Sequence, residues 1–141
     1  MRYAMILVLV LAACDRSAAR KKWSPAGKAW AAQFAAMVPE IMCQDAMYFL
    51  SCFEITAAEC RRVVRDQTES CLDDHADLVP QVLSEESGRL AGTKIGQCAG
   101  GATEFAIRAR HAARSVPLCS DVNHWARVAR ETAASFTGQI K

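Results

Sequence analysis

Most of the short motifs through which small proteins do chemistry are missing from these 141 residues. There is no C-x-x-C, so neither a thioredoxin-type redox pair nor the close cysteine pairs of a structural zinc site is available. None of the three histidines, His75, His111 and His124, stands in H-E-x-x-H or H-x-x-E-H, which removes the helical zinc-hydrolase arrangements. No serine occupies the G-x-S-x-G turn that exposes a hydrolase nucleophile. No glycine run leads into Lys-Ser/Thr, so a phosphate-cradling loop is excluded. Neither sign of charge dominates: 17 basic residues stand against 15 acidic ones, a net charge of +2. That balance argues against a nucleic-acid partner. Paired carboxylates occur at Asp73-Asp74 and Glu85-Glu86, but neighbours on a helix point apart, and both pairs read as solvated helix ends. No cofactor and no metal is expected.

Long apolar runs are scarce as well. The uncharged stretch from Tyr3 to Ala13 is too short for a membrane-spanning helix, which needs about 20 residues. Its length, the single Arg2 before it and the small residues at its end suit a secretory signal. Leu11-Ala12-Ala13-Cys14 resembles the lipobox of bacterial lipoproteins, a resemblance confined to residues 1–14. It implies a signal peptide of residues 1–13, cleavage after Ala13, a diacylglyceryl thioether on Cys14 and palmitate-type acylation of the new amino group. The membrane is then a partner through the lipid anchor, because several acyl chains at about 0.8 kcal/mol per buried methylene hold firmly. In some Gram-negative lipoproteins, Asp directly after the lipidated Cys marks inner-membrane retention. Asp15 matches, so the expected location is the cell envelope, with the periplasmic face of the inner membrane favoured. Residues 14–22 form the lipidated Cys and a polar basic tether. The four basic residues of Asp15–Lys22, DRSAARKK, either approach an anionic bilayer, at about 1 kcal/mol each, or simply solubilise a spacer.

Residues 23–141 suffice for one domain and not for two cores. Six cysteines remain there: Cys43, Cys52, Cys60, Cys71, Cys98 and Cys119. An even number in an oxidising compartment predicts three structural disulfides. Helix signals are plentiful. Ser24-Pro25 caps a first helix carrying Trp30, Phe34 and Met37, with Pro39 as its stop. A shorter helix is expected between Glu40 and Phe53. Thr56-Ala57-Ala58-Glu59 is a capping box for a helix that runs to Asp74 and bears Cys60, Val63, Val64, Gln67 and Cys71. Beyond Pro80 a long helix carries an apolar seam of Ala91, Ile95, Cys98, Ala102, Phe105 and Ala109. Ser120 caps a last helix with Val122, Trp125, Ala129, Ala133 and Phe136, closed by Gly138. No segment alternates with period two. The expected fold is all-α: a compact bundle of about five helices stabilised by three disulfides.

Helix geometry limits the pairings. Cys60 and Cys71 lie three turns apart, roughly 16 Å along one helix, beyond the reach of a disulfide. If the segment from Cys43 to Cys52 packs antiparallel to that helix, Cys52–Cys60 and Cys43–Cys71 become rungs. Cys98–Cys119 then ties the last two helices.

Gly88, Gly92, Gly96 and Gly100 recur every four residues along the long helix. Interior helix glycines cost about 0.8–1 kcal/mol each, so a ridge of four has a purpose: close packing inside the domain, or a docking face for a partner. Charge is also uneven. From Trp23 to Glu86 four basic residues stand against eleven acidic ones, whereas Ser87 to Lys141 holds eight basic and three acidic. Two halves of one fold that attract each other are the favoured account; an acidic face and a basic face are the alternative. Trp23, beside the tether, suits a membrane interface. The function these features favour is a membrane-anchored, non-enzymatic module that binds a protein of the envelope, as inhibitor, immunity or accessory subunits do. The alternatives are a hydrolase with a site assembled from scattered residues such as Glu104, His111 and His124, or a carrier with an apolar cavity for a small ligand or lipid.

Overall fold

The computed structural model describes residues 22–137. The signal, Cys14, Asp15, nearly all of the tether and Gly138 lie outside that range. Within it the chain is helical: α1 (Pro25–Met42), α2 (Tyr48–Cys52), α3 (Ala57–Asp74), a 3₁₀ turn (Ala76–Leu78), α4 (Glu85–Arg108), α5 (Pro117–Ser120) and α6 (Val122–Thr137). The body is made by α1, α3 and α4, with α3 packed along both of the others. Among the described residues no helix is long and apolar enough to cross a membrane.

Local capping chemistry decides where the long helices begin. Ser24 Oγ accepts from Gly27 N–H at 3.0 Å, with Pro25 as first helical residue. Thr56 Oγ1 accepts from Glu59 N–H at 3.2 Å and opens α3. At α4 the serines Ser84 and Ser87 cap each other's backbone reciprocally. Asp121, rather than the expected Ser120, caps the last helix through its carboxylate on His124 N–H at 2.9 Å. Pro39 does not stop α1. It lies inside the helix, which runs on to Met42, because the final turn is held by buried Val38 and by Cys43, bonded to α3.

Two apolar clusters fill the bundle. At one end Trp23, Trp30, Leu72, Val79, Ala91 and Ile95 pack together. At the other Val38, Phe49, Phe53, Cys60, Val64 and Ile107 do so, and Phe34 touches both groups. Trp23 is thus a core residue, 7 % exposed, with its indole N–H donating to the Ala76 carbonyl at 3.0 Å. The seam of α4 also departs from expectation. Ala91 and Ile95 are buried, but the seam continues through Ala99, Thr103 and Ile107. Constant steps of four drift around the helix by roughly 40° each, following α3 as the two helices cross. Phe105, assigned to the seam by sequence, is left 81 % exposed.

The three disulfides are Cys43–Cys60, Cys52–Cys119 and Cys71–Cys98, with Cα–Cα distances of 5.9, 5.4 and 5.9 Å. All three expected pairs, Cys43–Cys71, Cys52–Cys60 and Cys98–Cys119, are corrected. The expectation required a helix from Cys43 to Cys52 running beside α3. Instead α1 extends to Met42, which brings Cys43, its C-cap, beside the start of α3 at Cys60. The far end of α3 meets α4, not α2, so Cys71 bonds Cys98. Cys52 ends the single turn of α2 and is left facing α5. There a short antiparallel bridge, Phe53 with Ala113, draws in the chain after α4: Arg114 N–H donates to the Cys52 carbonyl at 2.8 Å.

Candidate functional site

Two open clefts lie at the C-terminal end of α4. The first, of about 440 Å³, lies between α2, the end of α4 and the segment leading into α5. Tyr48 and Arg108 line it, and both are held by Glu104, which does not itself line the cleft. Arg108, one turn after Glu104, donates from Nε and Nη2 to Glu104 Oε1 at 2.9 and 2.7 Å. The Tyr48 hydroxyl donates to the same oxygen at 2.9 Å. The guanidinium also lies over the Phe53 ring, 5.3 Å from its centroid, a cation–π position. Tyr48 in turn meets Phe53 and Trp125 edge-on at 5.7 and 5.3 Å.

These contacts fix protonation. Burial pushes the Tyr48 hydroxyl above its ordinary pKa of 10.0, and the hydrogen bond and charge of Glu104 add to the rise, with Arg108 opposing. The hydrogen bonds and charge of Glu104 hold Arg108 still more firmly in its charged form. Arg114, exposed on the wall of the cleft, makes no ion pair among the described residues, and Ser115 and Ser120 bring hydroxyls to the same wall. The arrangement supplies fixed donors and an aromatic floor, suited to holding an acceptor-rich group.

The second cleft, of about 420 Å³, lies between α3 and the end of α4. His111 closes its end, with Nδ1 3.0 Å from the Glu54 carbonyl and Nε2 3.2 Å from Glu59 Oε1. Glu59, expected to complete a capping box with Thr56, thus reaches across to His111 and toward Arg62 at 3.8 Å. This contact joins the acidic and basic halves of the sequence.

The residues singled out by sequence are distributed as follows. Cys14 lies outside the described residues. The glycine ridge faces α1: a Cβ at Gly88 would meet Trp30 at 3.4 Å, at Gly92 Phe34 at 3.4 Å, at Gly96 Phe34 at 4.0 Å and at Gly100 Met42 at 3.7 Å. The ridge makes room for the stacked rings of Trp30 and Phe34, whose centroids are 5.0 Å apart; all four glycines are half-buried beside α1. Glu104, His111 and His124 are not brought together in either cleft. Glu104 belongs to the Tyr48–Arg108 cluster, His111 to the second cleft, and His124 packs edge-on against Trp125 at 4.7 Å. Among the described residues no group of three His, Cys, Asp or Glu side chains is placed to hold a metal. Sequence reading missed Tyr48, Arg108 and Arg114. The four-residue spacing of Glu104 and Arg108 was a visible signal of a helical ion pair; Tyr48 and Arg114 reach it only through tertiary structure.

Six cysteines joined in three bridges on a helical bundle define a disulfide-stabilised protein, the kind built for an oxidising compartment. Residues 26–112 match the family of type II secretion system substrates described as "T2SS substrate NttA", and the chain belongs to that family. The match ends before α5, so Cys119, Ser115 and Ser120 lie beyond it. No curated protein and no solved structure matches the chain.

Proposed function

We propose that this protein is a folded binding module exported through type II secretion, and that it takes an acidic segment of a partner protein in the cleft between Arg108 and Arg114. One observation carries the binding reading: the Arg114 cation has no ion pair among the described residues, beside a guanidinium already braced by Glu104 and Phe53. Bracing lowers the entropy lost when a ligand carboxylate docks, and charge-assisted hydrogen bonds from guanidinium are among the strongest available to a protein. Family membership supports the route, and the three bridges suit passage through the periplasm before export. The lipid on Cys14 is part of the proposal as a surface tether. Export favours the outer face of the cell over the inner-membrane retention that Asp15 suggests.

Trp125, packed on Tyr48, provides the readout. Titration of the mature chain with a hexaglutamate peptide should change its fluorescence, with affinity falling as salt rises. Arg114→Glu should weaken binding about tenfold or more. Equal affinity of the wild type and Arg114→Glu sinks the cleft assignment. Mass spectrometry of the mature N-terminus, with Cys14→Ala as control, decides the lipid: an unmodified Cys14 removes the tether.

A further inference from the structure

The second cleft pairs a projection with a hole. Phe105 stands on its rim, 81 % exposed, whereas Val63, Ala102, Ala106 and Ala109 line the space beside it. An exposed phenylalanine leaves a large apolar surface in water, and burying such a ring favours association. Alanines beside it would let another helix approach closely, as small residues do in tight helix pairs.

Charge around this patch carries both signs in a self-complementary order. The antiparallel pairing of α3 and α4 is fixed at one end by the Cys71–Cys98 disulfide and at the other by Glu59 against His111. Interpolating between these contacts puts Val63 level with Ile107 and Asp66 level with Thr103. Asp66 is exposed on the cleft wall, with Arg62 at 3.6 Å. Arg110, exposed at the other end of the cleft, makes no ion pair among the described residues. A two-fold axis beside Ala106, with the two α4 helices antiparallel, exchanges these levels. It brings Arg110 of each copy opposite Asp66 of the other, and Phe105 of each copy over Val63 and Ala106 of the other.

We infer that the α3–α4 cleft is a self-docking surface, through which two copies of this chain form an isologous dimer with Phe105 as reciprocal knob. An isologous interface uses one patch twice and must be complementary to itself; knob beside hole, and cation and anion equidistant from one axis, meet that requirement. The inference stands on residues separate from the Arg108–Arg114 cleft and does not depend on the ligand proposed there.

Sedimentation velocity of the full mature chain over a wide concentration range tests it. The wild type should pass from monomer toward twice the monomer mass, and Phe105→Ala should weaken the association about tenfold or more. Asp66→Arg and Arg110→Asp should each do the same, since each places like charges across the axis. The double variant D66R/R110D restores both pairs and should regain the dimer. All of these side chains are exposed, and unchanged circular dichroism would show that the fold persists. A wild type that stays monomeric throughout overturns the inference, including the case in which a different protein occupies the cleft. So does a double variant no better than the singles.

Discussion

Glycine-to-alanine substitutions separate two kinds of glycine in this fold, and the outcome at each position follows from the space around it. Gly101 is an exposed residue in the interior of α4, and a Cβ there would meet nothing within 4 Å. Gly101→Ala should therefore realise the full helix-propensity gain of about 0.8–1 kcal/mol, part of it by restricting the unfolded chain. Gly96→Ala, whose Cβ would lie 4.0 Å from Phe34 Cζ, should gain nearly as much. Gly27 is the opposite case. A Cβ there would come within 2.7 Å of the Pro80 carbonyl oxygen and 3.2 Å of Val79 Cγ1. The obstacle is backbone, and Ser24 ties that segment down by donating to the Gln81 carbonyl at 2.7 Å. Relief requires α1 to move off its seat, so Gly27→Ala should cost about 1–3 kcal/mol, as overpacking does. Urea unfolding followed by circular dichroism reads both signs. With a slope of about 1–3 kcal/mol per molar, the Gly101→Ala midpoint should rise by roughly 0.5 M and that of Gly27→Ala should fall by at least as much. A destabilised Gly101→Ala, or a Gly27→Ala indistinguishable from wild type, refutes the packing described here.

Three further outcomes follow from buried or paired groups. The Thr103 hydroxyl is buried with no hydrogen-bond partner among the described residues, so Thr103→Val should stabilise by about 1 kcal/mol and raise Tm by roughly 4 °C; a lower Tm shows that the hydroxyl has a partner. Tyr48 has its pKa raised by burial and by Glu104. Its proton is therefore held in the folded state after the unfolded chain has lost it, and stability should fall as pH rises from about 10 through the folded value. Tyr3 falls in the expected signal, so absorbance at alkaline pH should report Tyr48 alone in the mature chain, and Tyr48→Phe should abolish that loss. Peptide mapping without reduction should return the three bridges described. Replacing Cys52 and Cys119 together, 67 residues apart, should cost about 4 kcal/mol, against about 3 for Cys43 and Cys60, 17 apart, by the chain-entropy relation; the reverse order contradicts it.

What could be read in advance was local. Ser24, Thr56 and the turn around Pro80 depend on neighbours within a few residues, and the helices begin near where those residues placed them. The burial of Trp23 and the exposure of Phe105 depend on how helices distant in sequence cross, which periodicity leaves open. A seam drawn as alternating steps of four and three drifted off the true one after Ile95. The Cys43 pairing failed through the length of α1: three residues of helix beyond Pro39 moved Cys43 to the wrong end of α3 for the expected rung. The first cleft was legible only in the Glu104–Arg108 spacing, because Tyr48, 56 residues before Glu104, and Arg114, in the irregular segment after α4, are brought there by the fold rather than by helical spacing.

The interlocked bridges also bear on the chain's passage into an oxidising compartment. Of the six bridge-forming cysteines, Cys43 and Cys52 emerge first when the chain enters N-terminus first, yet they belong to different bridges. If they join, two of the three native bonds are blocked until a thiolate reopens the wrong one. Cys52 must instead wait for Cys119, by which time α1, α3 and α4 have all been delivered. Fast oxidation is thus a hazard to this protein, and native pairing rewards a compartment where shuffling keeps pace with bond formation.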